Sequence, residues 1–152
     1  MYEELKFKNV ITYIQSGNVV FESNSAANLA QRINDKIFEK YKFNVPVIIL
    51  TEKEMQAAVK NNPFITEKNI DEERLYVAFC AETPKKELEE KLAALHFEPE
   101  RYAVSAKCIY LYCPNGFGNA KLNNNFLENK LKLTATTRNW KTVNELLKMM
   151  QQ

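Results

Sequence analysis

Tyr110-Leu-Tyr-Cys-Pro-Asn-Gly-Phe-Gly-Asn-Ala-Lys-Leu122 reads as a strand, a glycine turn and the opening of a helix. The aromatic residues at 110 and 112 favour an extended chain, and Pro114-Asn115-Gly116 is turn chemistry. Gly118 or Asn119 then starts a helix that carries Leu122, Phe126, Leu127 and Leu131 at helical spacing. A glycine bend at a helix start puts backbone N–H groups and Lys121 where an anion can sit.

Reading outward from this stretch gives the fold. Upstream, residues 102–105 and 108–113 form a hairpin that turns at Ala106-Lys107. Ahead of it, Arg74-Leu-Tyr-Val-Ala-Phe-Cys80 is a strand. Thr83 caps the following helix, with Pro84 at its first position and Leu88, Leu92 and Leu95 as its buried row. Downstream, residues 134–138 make a short closing strand. Asn139 or Thr142 caps a last helix that turns Trp140, Val143, Leu146, Leu147 and Met150 inward. Strand, helix, two strands, helix and strand is the order of a split β-α-β, ferredoxin-like unit.

The N-terminal part repeats much of that order. Val10-Ile-Thr-Tyr-Ile-Gln15 and Val19-Val-Phe-Glu22 flank Ser16-Gly17-Asn18, a hairpin signal. Ser25 caps a helix running to Tyr41, with Ala26, Leu29, Ala30, Ile33 and Ile37 on its apolar stripe. Residues 45–50 read as a buried strand with Pro46 near its start. Thr51 then caps a second helix, with Glu54 completing a capping box, and Asn61-Asn-Pro63 stops it. The expected fold is therefore α+β: two ferredoxin-like halves, the N-terminal one lacking its first strand. The expected division is 1–60, a polar linker at 61–73 docked by Phe64, Ile65 and Ile70, and 74–152.

Composition bounds the function. A 152-residue chain with 45% hydrophobic and 26% charged residues is an ordinary globular domain or two small ones. It has no membrane-spanning run, and Met1-Tyr-Glu-Glu-Leu-Lys6 lacks the pattern of a secretory signal, so a cytoplasmic location is expected. Cys80, Cys108 and Cys113 are then reduced thiols, and the five-residue offset of the last two places them on opposite strand faces. With one histidine, His96, and no C-x-x-C, no metal site or cofactor is expected. Charge is uneven along the chain. Residues 101–152 hold eight basic and two acidic residues, which points to an anionic partner or a solvated basic face.

Several motifs together resemble a known family: Thr12-Tyr-Ile-Gln-Ser-Gly-Asn-Val-Val-Phe21, Asn62-Pro-Phe64, Arg74-Leu-Tyr-Val77, Cys113-Pro-Asn-Gly-Phe-Gly118 and Thr136-Thr-Arg-Asn-Trp-Lys-Thr-Val143. They are similar to the bacterial family catalogued as domain of unknown function sixteen ninety-seven. The resemblance implies two ferredoxin-like halves and no assigned activity. Members of that family open with a strand ending in Arg-Gly-Ile-Asn-Val-Gly-Gly and then a helix, a segment this sequence lacks. Losing a central strand leaves a gap, because an open buried strand edge is costly. Either the strand ending at Phe21 pairs directly with residues 45–50, or another copy of the chain fills the space.

The leading expectation is a binding protein for an anionic or phosphate-bearing ligand. Gly116, Phe117, Gly118 and Lys121 would hold it, and Arg138 and Lys141 would reach the same anion. A helix N-terminus there contributes roughly half a positive charge. The alternative partner is a nucleic acid stacked on Tyr110, Tyr112, Phe117 and Trp140 beside the basic residues, although Trp140 also falls in core register. A third reading is an enzyme whose active site needs the missing N-terminal segment. No constellation in this sequence supplies nucleophilic or acid–base catalysis.

Overall fold

β-Branched and aromatic residues occupy both flanks of the first hairpin, and they pair as expected. The computed structural model describes residues 8–13, 18–22, 29–42 and 47–151. β1 (Lys8–Tyr13) and β2 (Asn18–Glu22) run antiparallel, with Tyr13 opposite Asn18 and a register shift between Lys8 and Ile11. The expected turn at Ser16-Gly17, the Ser25 cap and Pro46 lie outside the described residues.

α1 (Leu29–Tyr41) follows and buries Ile33. Residues 47–50 carry no strand pairing, which corrects the expected strand there. An apolar run becomes a strand only with a neighbour; here it is an extended connection that lays Ile48 and Leu50 against a core cluster. Direct pairing of residues 47–50 with β2 is likewise corrected, since β2 forms a two-stranded sheet with β1. α2 (Glu52–Lys60) begins with the expected capping box. The Glu54 amide donates to the Thr51 hydroxyl, and the Thr51 amide donates to the Glu54 carboxylate.

The remainder forms a four-stranded antiparallel sheet in the order β4-β5-β3-β6. Its strands are β3 (Leu75–Cys80), β4 (Arg101–Ser105), β5 (Cys108–Tyr112) and β6 (Ala135–Asn139). α3 (Lys86–Ala93), α4 (Asn124–Leu131) and α5 (Trp140–Met150) complete the chain. β3 is central, pairing with β5 on one side and β6 on the other. Its alternate side chains serve two cores. Tyr76, Ala78 and Cys80 face the cluster built with Leu92 of α3 and Leu127 and Leu131 of α4. Leu75, Val77 and Phe79 face the cluster built with Met55 and Ala58 of α2 and Trp140, Val143 and Leu146 of α5. Cys108 and Cys113 fall in different clusters, as their offset requires.

Two helix starts differ from the sequence reading. α3 begins at Lys86, with Lys85 at its N-cap and no side-chain cap. Pro84 is buried ahead of the helix, and Leu95 falls past the helix end with 43% of its surface exposed. α4 begins at Asn124, not at Gly118 or Asn119, because Asn123 supplies the cap: its Oδ1 accepts from the Phe126 amide at 2.9 Å.

The segment between α2 and β3 is ordered by short 3-10 turns at Pro63–Thr66 and Glu72–Arg74, started by the side chains of Asn62 and Asp71. Phe64 is buried, and Ile65 and Ile70 pack beside it. The guanidinium of Arg101 lies 5.0 Å from the Phe64 ring and donates to both oxygens of Glu67, at 2.7 and 2.9 Å.

Candidate functional site

Antiparallel pairing of β3 with β5 brings residue 74 opposite residue 113, and the Cys113 amide donates to the Arg74 carbonyl at 3.0 Å. The chain then turns, with the Gly116 amide donating to the Cys113 carbonyl at 2.9 Å. Gly116 has φ 90°, a left-handed conformation that a side chain would strain. A Cβ at Gly116 would also stand 3.3 Å from an Nη1 of Arg74, so the guanidinium lies against this glycine.

Phe117–Asn119 is a 3-10 turn. The Phe117 ring lies on the Tyr76 ring, centroids 4.9 Å apart and tilted by 30°. The first amides of such a turn have no internal acceptor, and those of Phe117 and Gly118 meet none among the described residues. Gly118 is exposed, and a Cβ there would meet nothing within 4 Å. The Ala120 amide closes the turn on the Phe117 carbonyl at 3.1 Å, and the two amides after it are taken by the protein's own anion. The Lys121 and Leu122 amides donate to the two oxygens of Glu100, at 3.0 and 2.9 Å.

The bend therefore brings Gly116, Phe117, Gly118 and Lys121 together, but the positive end of α4 belongs to Asn123. Lys141, in the first turn of α5, is exposed and lines a groove with Tyr76. Arg138 is elsewhere. It pairs across β6–β3 with Val77 and so projects from the opposite sheet face to Tyr76 and Phe117. Its Nε donates to Asn18 of β2 at 2.6 Å, and burial lowers its pKa. The basic excess is likewise spread. Lys107 sits in the β4–β5 turn, at the far end of the sheet from the bend, and Arg101 is engaged with Glu67.

The aromatic platform expected for nucleic acid does not form on the sheet. Tyr110 is 1% exposed and donates its hydroxyl to the Ala58 carbonyl at 2.8 Å, and Trp140 is in the core. The thiols are buried too. Desolvation pushes Cys80 up to about 12, Cys108 up to about 11 and Cys113 up to about 12. His96 is exposed.

Sequence reasoning missed Arg74 and Glu100. Arg74 could have been found from register: once its strand pairs with the one ending in Cys113, residue 74 must stand at the bend. Glu100 carries no such signal, because its partners are 21 and 22 residues further along the chain.

These features define an α+β protein with a four-stranded antiparallel sheet covered on both faces. The chain belongs to the family described as "Protein of unknown function (DUF1697)", which matches residues 1–110 and so ends short of the bend. In structure it is similar to a conserved bacterial protein, SP0830 from Streptococcus pneumoniae, with a TM-score of 0.76 and 20% identity. That likeness covers 99% of this chain and 85% of the other, and at such identity it speaks for the fold alone. No curated protein matches the chain. Among the described residues no helix is long and apolar enough to cross a membrane.

Proposed function

We propose that this chain is a binding protein for an anionic, phosphate-bearing ligand held at the 116–121 bend. The observation that carries the reading is the pair of amides at Phe117 and Gly118, which meet no acceptor among the described residues and directly follow Gly116, against which the Arg74 guanidinium lies. Two N–H donors and a cation within one bend are the components of an anion nest. Lys121 adds an exposed ammonium, and Gly118 leaves the backbone open to close approach. Arg74 takes the part expected of Arg138, whose guanidinium donates to Asn18 on the other sheet face. Glu100 satisfies the inner amides, so the ligand occupies the outer part of the bend only.

Residues 74–152 act as a ferredoxin-like unit, supported by the insertion of β5 between β3 and β4 and by the return of α4 to β6 at the far edge. Residues 1–60 are the partner half, joined through 61–73. A cytoplasmic setting suits the three buried thiols.

The test is titration of the isotopically labelled protein with inorganic phosphate and then pyrophosphate, followed by amide resonances. Saturable shifts at Phe117, Gly118 and Asn119, weakened by Arg74→Ala and by Lys121→Ala, are expected. A motionless Gly118 amide, or saturable shifts confined to another part of the molecule, overturns the reading.

A further inference from the structure

A groove of ≈ 500 Å³ lies between the Glu72–Arg74 turn and the first turns of α5. Glu72, Glu73, Tyr76, Trp140, Lys141 and Glu145 are among its walls. Both sides are held by caps. The Asp71 side chain accepts from the Glu73 amide at 3.0 Å, and the Asn139 side chain accepts from the Thr142 amide at 2.8 Å.

Three properties of these walls point to one kind of occupant. Trp140 is only 6% exposed, yet its indole N–H meets no acceptor among the described residues, and it is not sealed from solvent. Trp140 lines the groove, so a ligand seated there meets a residue whose N–H has no protein acceptor among the described residues. The charge is lopsided: three carboxylates face one ammonium, and Glu145 shares its charge with Lys148 at 3.6 Å. Glu72 and Glu73 are exposed and have no ion-pair partner among the described residues. Finally, Tyr76, whose ring lies on that of Phe117, lines the same wall and supplies an aromatic ring of the kind that attracts a cation.

We infer that this groove docks a basic peptide segment. A Lys or Arg side chain of the segment lies along Tyr76 with its charge at Glu72 and Glu73, and a peptide carbonyl accepts from the Trp140 indole. An anion would be repelled by three carboxylates. An apolar segment would strip water from them and leave the indole N–H unmet. The inference is independent of the anion bend, and Lys141 separates the two. Removing its charge favours a basic ligand in the groove, whereas the anion bend is held by Arg74 and Lys121.

Trp140 is the chain's single tryptophan, so its emission reports on the groove directly. The probes are a capped five-residue peptide containing one Arg and one Lys, the same peptide with Glu at both positions, and spermidine. The basic peptide should change Trp140 emission saturably. The double substitution Glu72→Gln with Glu73→Gln should weaken its affinity about tenfold, and Lys141→Ala should strengthen it about threefold. Lys121→Ala should leave it unchanged. The substituted glutamates are exposed, so the variants should keep the parent circular dichroism. Any one of four results overturns the inference: no saturable change, equal binding of the acidic peptide, spermidine binding as tightly as the basic peptide, or no effect of the double glutamine variant.

Discussion

Glu100→Ala removes the acceptor for two consecutive backbone donors. In the folded protein the Lys121 amide donates to one carboxylate oxygen at 3.0 Å and the Leu122 amide to the other at 2.9 Å. A hydrogen bond to a charged acceptor contributes roughly 1.5–3 kcal/mol, and an amide left unmet in a partly buried place costs about as much. Water can replace the acceptor for the exposed Lys121 amide, but much less so for Leu122, whose side chain is fully buried. The expected loss is therefore about 2–3 kcal/mol for Glu100→Ala. It is about 1 kcal/mol for Glu100→Gln, which keeps one acceptor oxygen. For a chain of this size that corresponds to a fall of roughly 4–10 °C in Tm for the alanine variant. Urea titration should show a lower midpoint at unchanged slope. Hydrogen exchange should localise the effect, with the Lys121 and Leu122 amides losing protection ahead of their neighbours. If the alanine variant unfolds within about 0.5 kcal/mol of the parent and both amides keep their protection, then Glu100 does not hold this turn.

Further predictions concern the bend and the cores. Gly116→Ala should cost about 1–2 kcal/mol, since φ 90° and the Arg74 contact at 3.3 Å both oppose a Cβ. Gly118→Ala should be neutral or stabilise by up to about 0.5 kcal/mol, because its Cβ enters open space. Equal thermal shifts for the two would contradict this account of the turn. The folded thiols are held above the ordinary value of 9.0, to about 11 or 12. Above that ordinary value the folded state binds more protons than the unfolded one. Their contribution to stability is thus complete at neutral pH and is lost as pH rises from about 9 through the folded values of about 11 and about 12. Urea midpoints measured at about pH 7 and about pH 10 check the sign, and a higher midpoint at the alkaline pH would reverse it.

What the residues could disclose in advance was local. The capping box at Thr51 and Glu54 and the alternation of Cys108 and Cys113 depend on neighbours a few positions away, and all of these read directly. Residues 47–50 misled because β-branched content describes what suits a sheet, whereas pairing needs a second strand. The start of α4 misled because Asn119 and Asn123 are equally good caps; a distant carboxylate at Glu100 and the burial of Leu122 settle the choice. Arg138 is expected at the bend on the ground that the closing strand lies beside the loop. The parity of β6 against β3 decides its side, and parity follows from register, which a single strand does not carry.

The alternation along β3 has a consequence for how this protein can change. Odd-numbered positions of the strand fill one hydrophobic compartment and even-numbered positions the other. An inserted or deleted residue would transpose every side chain beyond it, sending Tyr76 or Cys80 into space shaped for Val77 or Phe79. Replacement one residue at a time is open to this strand, but a change in its length is not. Among the described residues, the irregular backbone at 81–85, just beyond the strand, leaves room for additions.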